Sequence, residues 1–148
     1  MIIALGADHG GFLAKTNIIN YLKEHGHEVI DMGCNSLDSC DYPVFGLKVG
    51  EAVASKQADI GIVVCSSGVG ISISANKVKG IRCGLAWNPT IASLVRAHNN
   101  CNVLSVPGKY LSDSEVLEII KAFLSTEFEG GRHTRRVELI DKYDMERK

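Results

Sequence analysis

Between Ile60 and Asn76 the chain reads Ile-Gly-Ile-Val-Val-Cys-Ser-Ser-Gly-Val-Gly-Ile-Ser-Ile-Ser-Ala-Asn, a buried-strand pattern that runs through a thiol into a glycine-spaced turn and then a helix. Strand, tight turn and helix in that order form one arm of a β-α-β unit, and such units assemble parallel sheets. The turn also has a chemical consequence. Peptide N–H groups at a helix start are unpaired and carry the positive end of the helix dipole, so they attract phosphate, carboxylate or a developing oxyanion and favour a neighbouring thiolate. Taken alone, the run fits a glycine turn beside a packing cysteine equally well.

The unit recurs along the chain. Met1 to Gly6 reads as a strand, followed by the polar turn Ala-Asp-His-Gly-Gly and a helix carrying Phe12, Ile18, Ile19 and Leu22. Glu28 to Asp31 suggests a strand, Val44 to Ser55 a helix, and Val69 to Asn76 the helix after the strand at 60–65. Cys83 to Ala86 predicts a fourth strand, Pro89 to His98 a helix opened by a permitted proline, and Val103 to Val106 a fifth strand. Ser112 and Glu115 form a capping box ahead of an apolar stripe through Val116, Ile119, Ile120 and Phe123. The expectation is a five-stranded parallel α/β sheet covered on both faces, in one domain over 1–148. After Phe128 the chain turns charged, and its final helix has little beyond Val137, Leu139, Ile140 and Tyr143 to bury, which fits packing on a neighbouring subunit or a solvated end.

Composition excludes several roles. A net charge of −1 lacks the basic excess of a nucleic-acid binder, and no apolar run approaches the length that spans a bilayer. The five cysteines are odd in number, widely spaced and preceded by no secretory leader, which points to reduced thiols in a cytoplasmic protein. Neither the histidines nor the cysteines show metal-ligand spacing, so no metal and no cofactor are expected.

In an open parallel sheet, ligands bind beyond the carboxyl ends of the strands. Asp8 and His9 follow the first strand, Asp41 and Tyr42 come after the second, Cys65 to Gly70 end the third, and Pro107 onward follows the fifth. His98 and Asn99 break this rule, because they close a helix that precedes a strand and so belong at the opposite edge of their own sheet. If they share in the chemistry, a partner subunit's site is the simplest place for it.

These residues resemble the sugar-phosphate isomerases of the ribose-5-phosphate isomerase B and galactose-6-phosphate isomerase group. The resemblance covers nearly the whole chain. It is carried by Ala-Asp-His-Gly-Gly at 7–11, Asp-Tyr-Pro at 41–43, Cys-Ser-Ser-Gly-Val-Gly-Ile-Ser at 65–72, Ala-Asn-Lys at 75–77, Gly-Ile-Arg at 80–82, His-Asn-Asn-Cys-Asn-Val-Leu at 98–104 and Gly-Gly-Arg-His-Thr-Arg-Arg-Val at 130–137. It implies a Rossmann-like three-layer sandwich and a metal-free aldose-ketose isomerisation through an enediolate. Cys65 then matches the base, with Ser67, where the family usually has threonine, orienting the thiol. The N–H groups of Ser66, Gly68, Val69 and Gly70 would hold the enediolate oxygens. His98 would open the sugar ring and Asn99 hold a hydroxyl. Asp8 would bind sugar hydroxyls and Tyr42 line the pocket. Lys109, Arg132 and Arg136, with His9, would clamp phosphate.

The same residues have plainer readings: a turn-capping aspartate for Asp8, a helix-terminal histidine for His98, a solvated basic face for Arg132 and Arg136. Two departures from the family pattern stand out. Ser66 replaces the usual glycine after the cysteine, and Lys109 replaces an arginine common in the ribose enzymes. The leading expectation is an isomerase of ribose 5-phosphate and ribulose 5-phosphate, acting as a homodimer or dimer of dimers with shared sites. The alternatives are an isomerase of six-carbon sugar phosphates (allose or galactose type) and a non-catalytic phosphate- or nucleotide-binding module.

Overall fold

The computed structural model describes residues 1–148. Five strands alternate with six helices: β1 (Ile2–Ala7), α1 (Phe12–Glu24), β2 (Glu28–Gly33), α2 (Tyr42–Ala54), β3 (Ile60–Cys65), α3 (Val69–Asn76), β4 (Cys83–Leu85), α4 (Pro89–Ala97), β5 (Val103–Pro107), α5 (Asp113–Leu124) and α6 (Arg132–Glu146). All strand pairs are parallel, in the order β2-β1-β3-β5-β4.

The three central strands are apolar along their length because both faces are covered. Ile3, Leu5, Ile62, Val64, Leu104 and Val106 point toward α1, α4 and α5, where Ile18, Leu22, Val95, Ile119 and Phe123 meet them. Ala4, Val63, Cys65 and Val103 point the other way, toward Val49, Val53, Ile71 and Ala75 of α2 and α3. The expected three-layer architecture is what folds. The capping box is present in full, with Ser112 Oγ accepting from the Glu115 N–H and the Glu115 carboxylate accepting from the Ser112 N–H.

The terminal helix α6 is held by its own chain. Asp141 pairs with Arg82 at 2.5 Å, Asp144 accepts from the Gly80 N–H at 2.6 Å, and Arg147 donates to the Lys77 carbonyl at 2.9 Å. Only His133 and Val137 of this helix are buried, while Leu139, Ile140, Tyr143 and Met145 remain exposed. No helix is long and apolar enough to cross a membrane.

Candidate active site

The chain leaves β1 for one edge of the sheet and returns from β2 to the far side of β1, so β1 and β3 flank a topological switch point. The loops after these two strands open outward around that crevice. They also touch. Asp8 donates its N–H to the Val64 carbonyl at 3.3 Å, and a Cβ added to Gly10 would collide with the Ser66 hydroxyl. The β5 strand closes the third side, where the Gly108 and Lys109 amides donate to the Cys65 and Ser66 carbonyls at 2.9 and 3.2 Å.

Cys65 ends β3 at only 5% exposure, and its sulfur accepts the N–H of Gly68 at 3.2 Å. Gly68 caps α3 with φ 76°, a left-handed conformation that tips its amide back toward the sulfur. Ser67 Oγ accepts from the Val69 N–H at 3.2 Å, so its contact is with the helix start rather than the thiol. Tyr42, at the start of α2, lies on Gly70: a Cβ there would sit 2.7 Å from the phenol ring. Asp8 is buried and caps its own turn by accepting from the Gly11 N–H at 3.2 Å. Its plainer reading is therefore realised in this state. The Cys40 N–H donates to His9 Nδ1 at 3.1 Å, which assigns the ring proton of His9 to Nε2. Lys109 is exposed beside this cluster with its ammonium 5.8 Å from the Tyr110 ring centroid.

His98, Asn99, Arg132 and Arg136 are elsewhere. His98 caps the C-terminus of α4, and the following loop feeds the start of β5, whose Val103 pairs with Gly61 while Pro107 pairs with Cys65. Four strand residues separate those registers, so the two ends of β3 lie roughly 13 Å apart before any loop is counted. The sheet places His98 at the end opposite Cys65. Its imidazole stacks on His133 with centroids 4.1 Å apart and planes at 15°. Glu129 approaches both, its Oε2 lying 3.5 Å from His133 Nε2 and 3.9 Å from His98 Nε2. Arg132 donates through Nε to His133 Nε2 at 3.4 Å. Burial first, then the nearby His98 and Arg132, lowers the pKa of His133 from its ordinary value. The carbonyl of Asn99 accepts from Arg82 Nε at 3.1 Å, and Asn99 borders the largest cavity, about 410 Å³, between β4, Ile140, Tyr143 and Arg147.

The sequence-derived set thus divides in two: Asp8, His9, Tyr42, Cys65 to Gly70 and Lys109 at one end, His98, Asn99, Arg132 and Arg136 at the other. Sequence reasoning missed Glu129 and His133 as companions of His98. Their signal was present but weak, since histidine and glutamate four residues apart on a helix approach are neighbours, whereas the 31 residues back to His98 carry no periodic trace.

A family model described as Ribose/Galactose Isomerase matches residues 3–140. The chain belongs to the Ribose/Galactose Isomerase family. It is 43% identical over 145 residues to the ribose-5-phosphate isomerase B of Escherichia coli, covering 98% of this chain and 97% of that protein. Its fold superposes on ribose-5-phosphate isomerase B of Clostridium thermocellum with a TM-score of 0.96 at 46% identity, covering 98% of each chain. It superposes on the Mycoplasma genitalium enzyme with bound ribulose 5-phosphate with a TM-score of 0.94 at 39% identity, covering 99% of this chain and 97% of that one. Membership in the Ribose/Galactose Isomerase family makes the chain a sugar-phosphate isomerase.

Proposed function

We propose that the chain interconverts ribose 5-phosphate and ribulose 5-phosphate through an enediolate, with Cys65 as the base. The observation that carries this reading is the Gly68 amide aimed at the Cys65 sulfur, in the turn that opens α3 beside the β1/β3 crevice. The Mycoplasma genitalium relative with bound ribulose 5-phosphate supports the choice of sugar.

With the sugar in its open form, the Cys65 thiolate removes the proton from C2. The C2–H electrons become the C1=C2 bond as the carbonyl electrons move onto O1. The Ser66 and Gly70 amides, which neither the sulfur nor the Ser67 hydroxyl takes up, stabilise the resulting oxyanion, and one such donor is typically worth about 3 kcal/mol. The sulfur then returns its proton to C1, while the O2 hydroxyl gives up its proton to become the ketone and O1 gains one. Atoms and charge balance, and the loop supplies the electrostatic work.

Ring opening takes a proton from the O1 hydroxyl and delivers one to the ring oxygen, which suits an imidazole near neutral pH. His98 cannot do this for the Cys65 of its own chain across the sheet. A second copy supplies His98 and Asn99, together with the phosphate-binding Arg132 and Arg136, so the active form is at least a dimer with composite sites. The exposed row Leu139, Ile140 and Tyr143 on α6 gives that dimer apolar surface to cover. All five cysteines are free, in keeping with a cytoplasmic, reducing setting.

The test is turnover with ribose 5-phosphate, allose 6-phosphate and galactose 6-phosphate side by side. We expect the highest kcat/KM with ribose 5-phosphate. A preference for either six-carbon sugar overturns the substrate assignment, and turnover of none overturns the activity.

A further inference from the structure

Two side chains that the isomerisation does not use, Glu129 and His133, stand beside His98. Glu129 lies in the connection between α5 and α6, and its backbone N–H donates to the carbonyl of Ala97, the residue before His98, at 3.0 Å. The His133 N–H donates to the Gly130 carbonyl at 3.0 Å. These two backbone bonds hold the three residues near one another, and a ring nitrogen of each histidine and a Glu129 carboxylate oxygen all lie within 4.8 Å of one another. Two ring nitrogens and one carboxylate oxygen form the donor set that borderline divalent ions prefer.

The spacing is close to what such an ion needs. Metal–ligand bonds of about 2.0–2.2 Å put tetrahedral ligands about 3.3–3.6 Å apart. The Glu129 oxygen is already 3.5 Å from His133 and 3.9 Å from His98. Closing the remainder requires the stacked rings to fan open so that both lone pairs meet, and the groups that must move are free to do so. Glu129 is 59% exposed and the His98 side chain 34%. Arg132, which donates to the same His133 nitrogen, is exposed and can swing into water. That contact also assigns a lone pair to His133 Nε2, the form that binds metal.

We propose that His98, Glu129 and His133 form a binding site for zinc or a similar divalent transition-metal ion, with the remaining coordination positions open to water. Binding itself depends on no assumption about catalysis. Its consequence rests on the function proposed above: an ion on His98 ties up the imidazole that opens the sugar ring and displaces Arg132 from its place, so zinc inhibits the enzyme.

Metal-free full-length protein is titrated with cobalt(II) and read by visible absorption. We expect one ion per chain with the bands of nitrogen and oxygen coordination, and affinity reduced at least tenfold in Glu129→Gln and in His133→Asn. Thermal melts confirm that both variants fold, and the exposed Glu129 carries the test if the buried His133 variant does not. Absent binding, sulfur-to-cobalt charge transfer from a cysteine site, or equal affinity in Glu129→Gln each overturns the proposal. In a parallel assay, the zinc concentration that halves isomerisation rises at least tenfold in Glu129→Gln. Cobalt binding in a protein that does not isomerise ribose 5-phosphate removes the functional reading and leaves the metal site standing. Isomerisation in a protein that binds no cobalt does the reverse.

Discussion

The backbone N–H of Gly68 donates to the sulfur of Cys65 over 3.2 Å, and Gly68 does so from φ 76°. The link makes the thiol's electrostatic environment a property of one backbone conformation. An L-residue in that left-handed region costs about 1–2 kcal/mol, and here a Cβ would also lie 2.6 Å from Leu85 Cδ1 and 3.1 Å from the Pro107 nitrogen. Gly68→Ala is therefore expected to shift the loop, lower the melting temperature and reduce kcat about a hundredfold, with a smaller change in KM. Steady-state kinetics decide it, and parental kcat would remove the amide from the mechanism.

Cys65→Ala deletes the base while keeping a small apolar side chain in a nearly closed site. We expect an intact fold and a loss of about a thousandfold or more in kcat, the scale of removing a positioned proton-transfer group. Retention of activity would show that another group abstracts the proton.

The division of the site between the two ends of the sheet predicts complementation. Cys65→Ala and His98→Asn should each be inactive alone. When the two are unfolded together and refolded, random dimers carry one intact site in half of the molecules, so about a quarter of parental activity returns. No recovery on mixing, with dimers present in sedimentation, means that each chain completes its own site.

Lys15 is a buried cation. Its ammonium donates to Asp31 Oδ1 at 2.7 Å and to the Cys34 carbonyl at 2.6 Å, with 2% exposure against 40% for Asp31. Lys15→Ala leaves a cavity and an unpaired carboxylate, although Asp31 can recover water, so the expected loss is about 3 kcal/mol. Denaturant titration measures it. Activity should also fall, since the same contact anchors the segment that leads to Cys40 and its bond with His9.

The thiols should differ sharply in reactivity. Burial, followed by contact with Cys34, pushes Cys40 up to about 11. Burial likewise raises Cys101 to about 11 and Cys83 further. Only the thiolate alkylates, so raising the pH speeds labelling of Cys40 and Cys101 until it passes that range. At pH 8 the half-exposed Cys40 should react roughly a hundredfold more slowly than an unperturbed thiol. Peptide mapping after timed iodoacetamide treatment checks this, and rapid labelling of Cys40 would contradict it.

The strands and helices could be read in the sequence because burial on both faces writes continuous apolar runs, and because Ser112 with Glu115, and Pro89, mark helix starts by local chemistry. Boundaries moved by a residue or two, most clearly at α2, which begins at Tyr42 instead of Val44. The position of His98 at the far end of the sheet followed from topology alone. What stayed hidden depends on distance in sequence. Lys15 looks like a surface lysine on its helix until the sheet brings Asp31 to it, and nothing local signals that β5 inserts between β3 and β4. The Arg82–Asp141 pair that ties α6 to its own chain spans 59 residues and was equally silent.

A Cβ at Gly10 would sit 2.3 Å from the Ser66 hydroxyl and 3.2 Å from Asp8 Oδ1, so a side chain at position 10 requires that hydroxyl to turn away. Serine at 66 fills volume that glycine would leave vacant, and the two positions share one fixed allowance of space. Drift at either is therefore coupled to the other: among descendants of this sequence, alanine at 10 should be favoured in lineages where 66 has lost its hydroxyl, a covariation imposed by steric crowding between two loops and independent of the sugar being turned over.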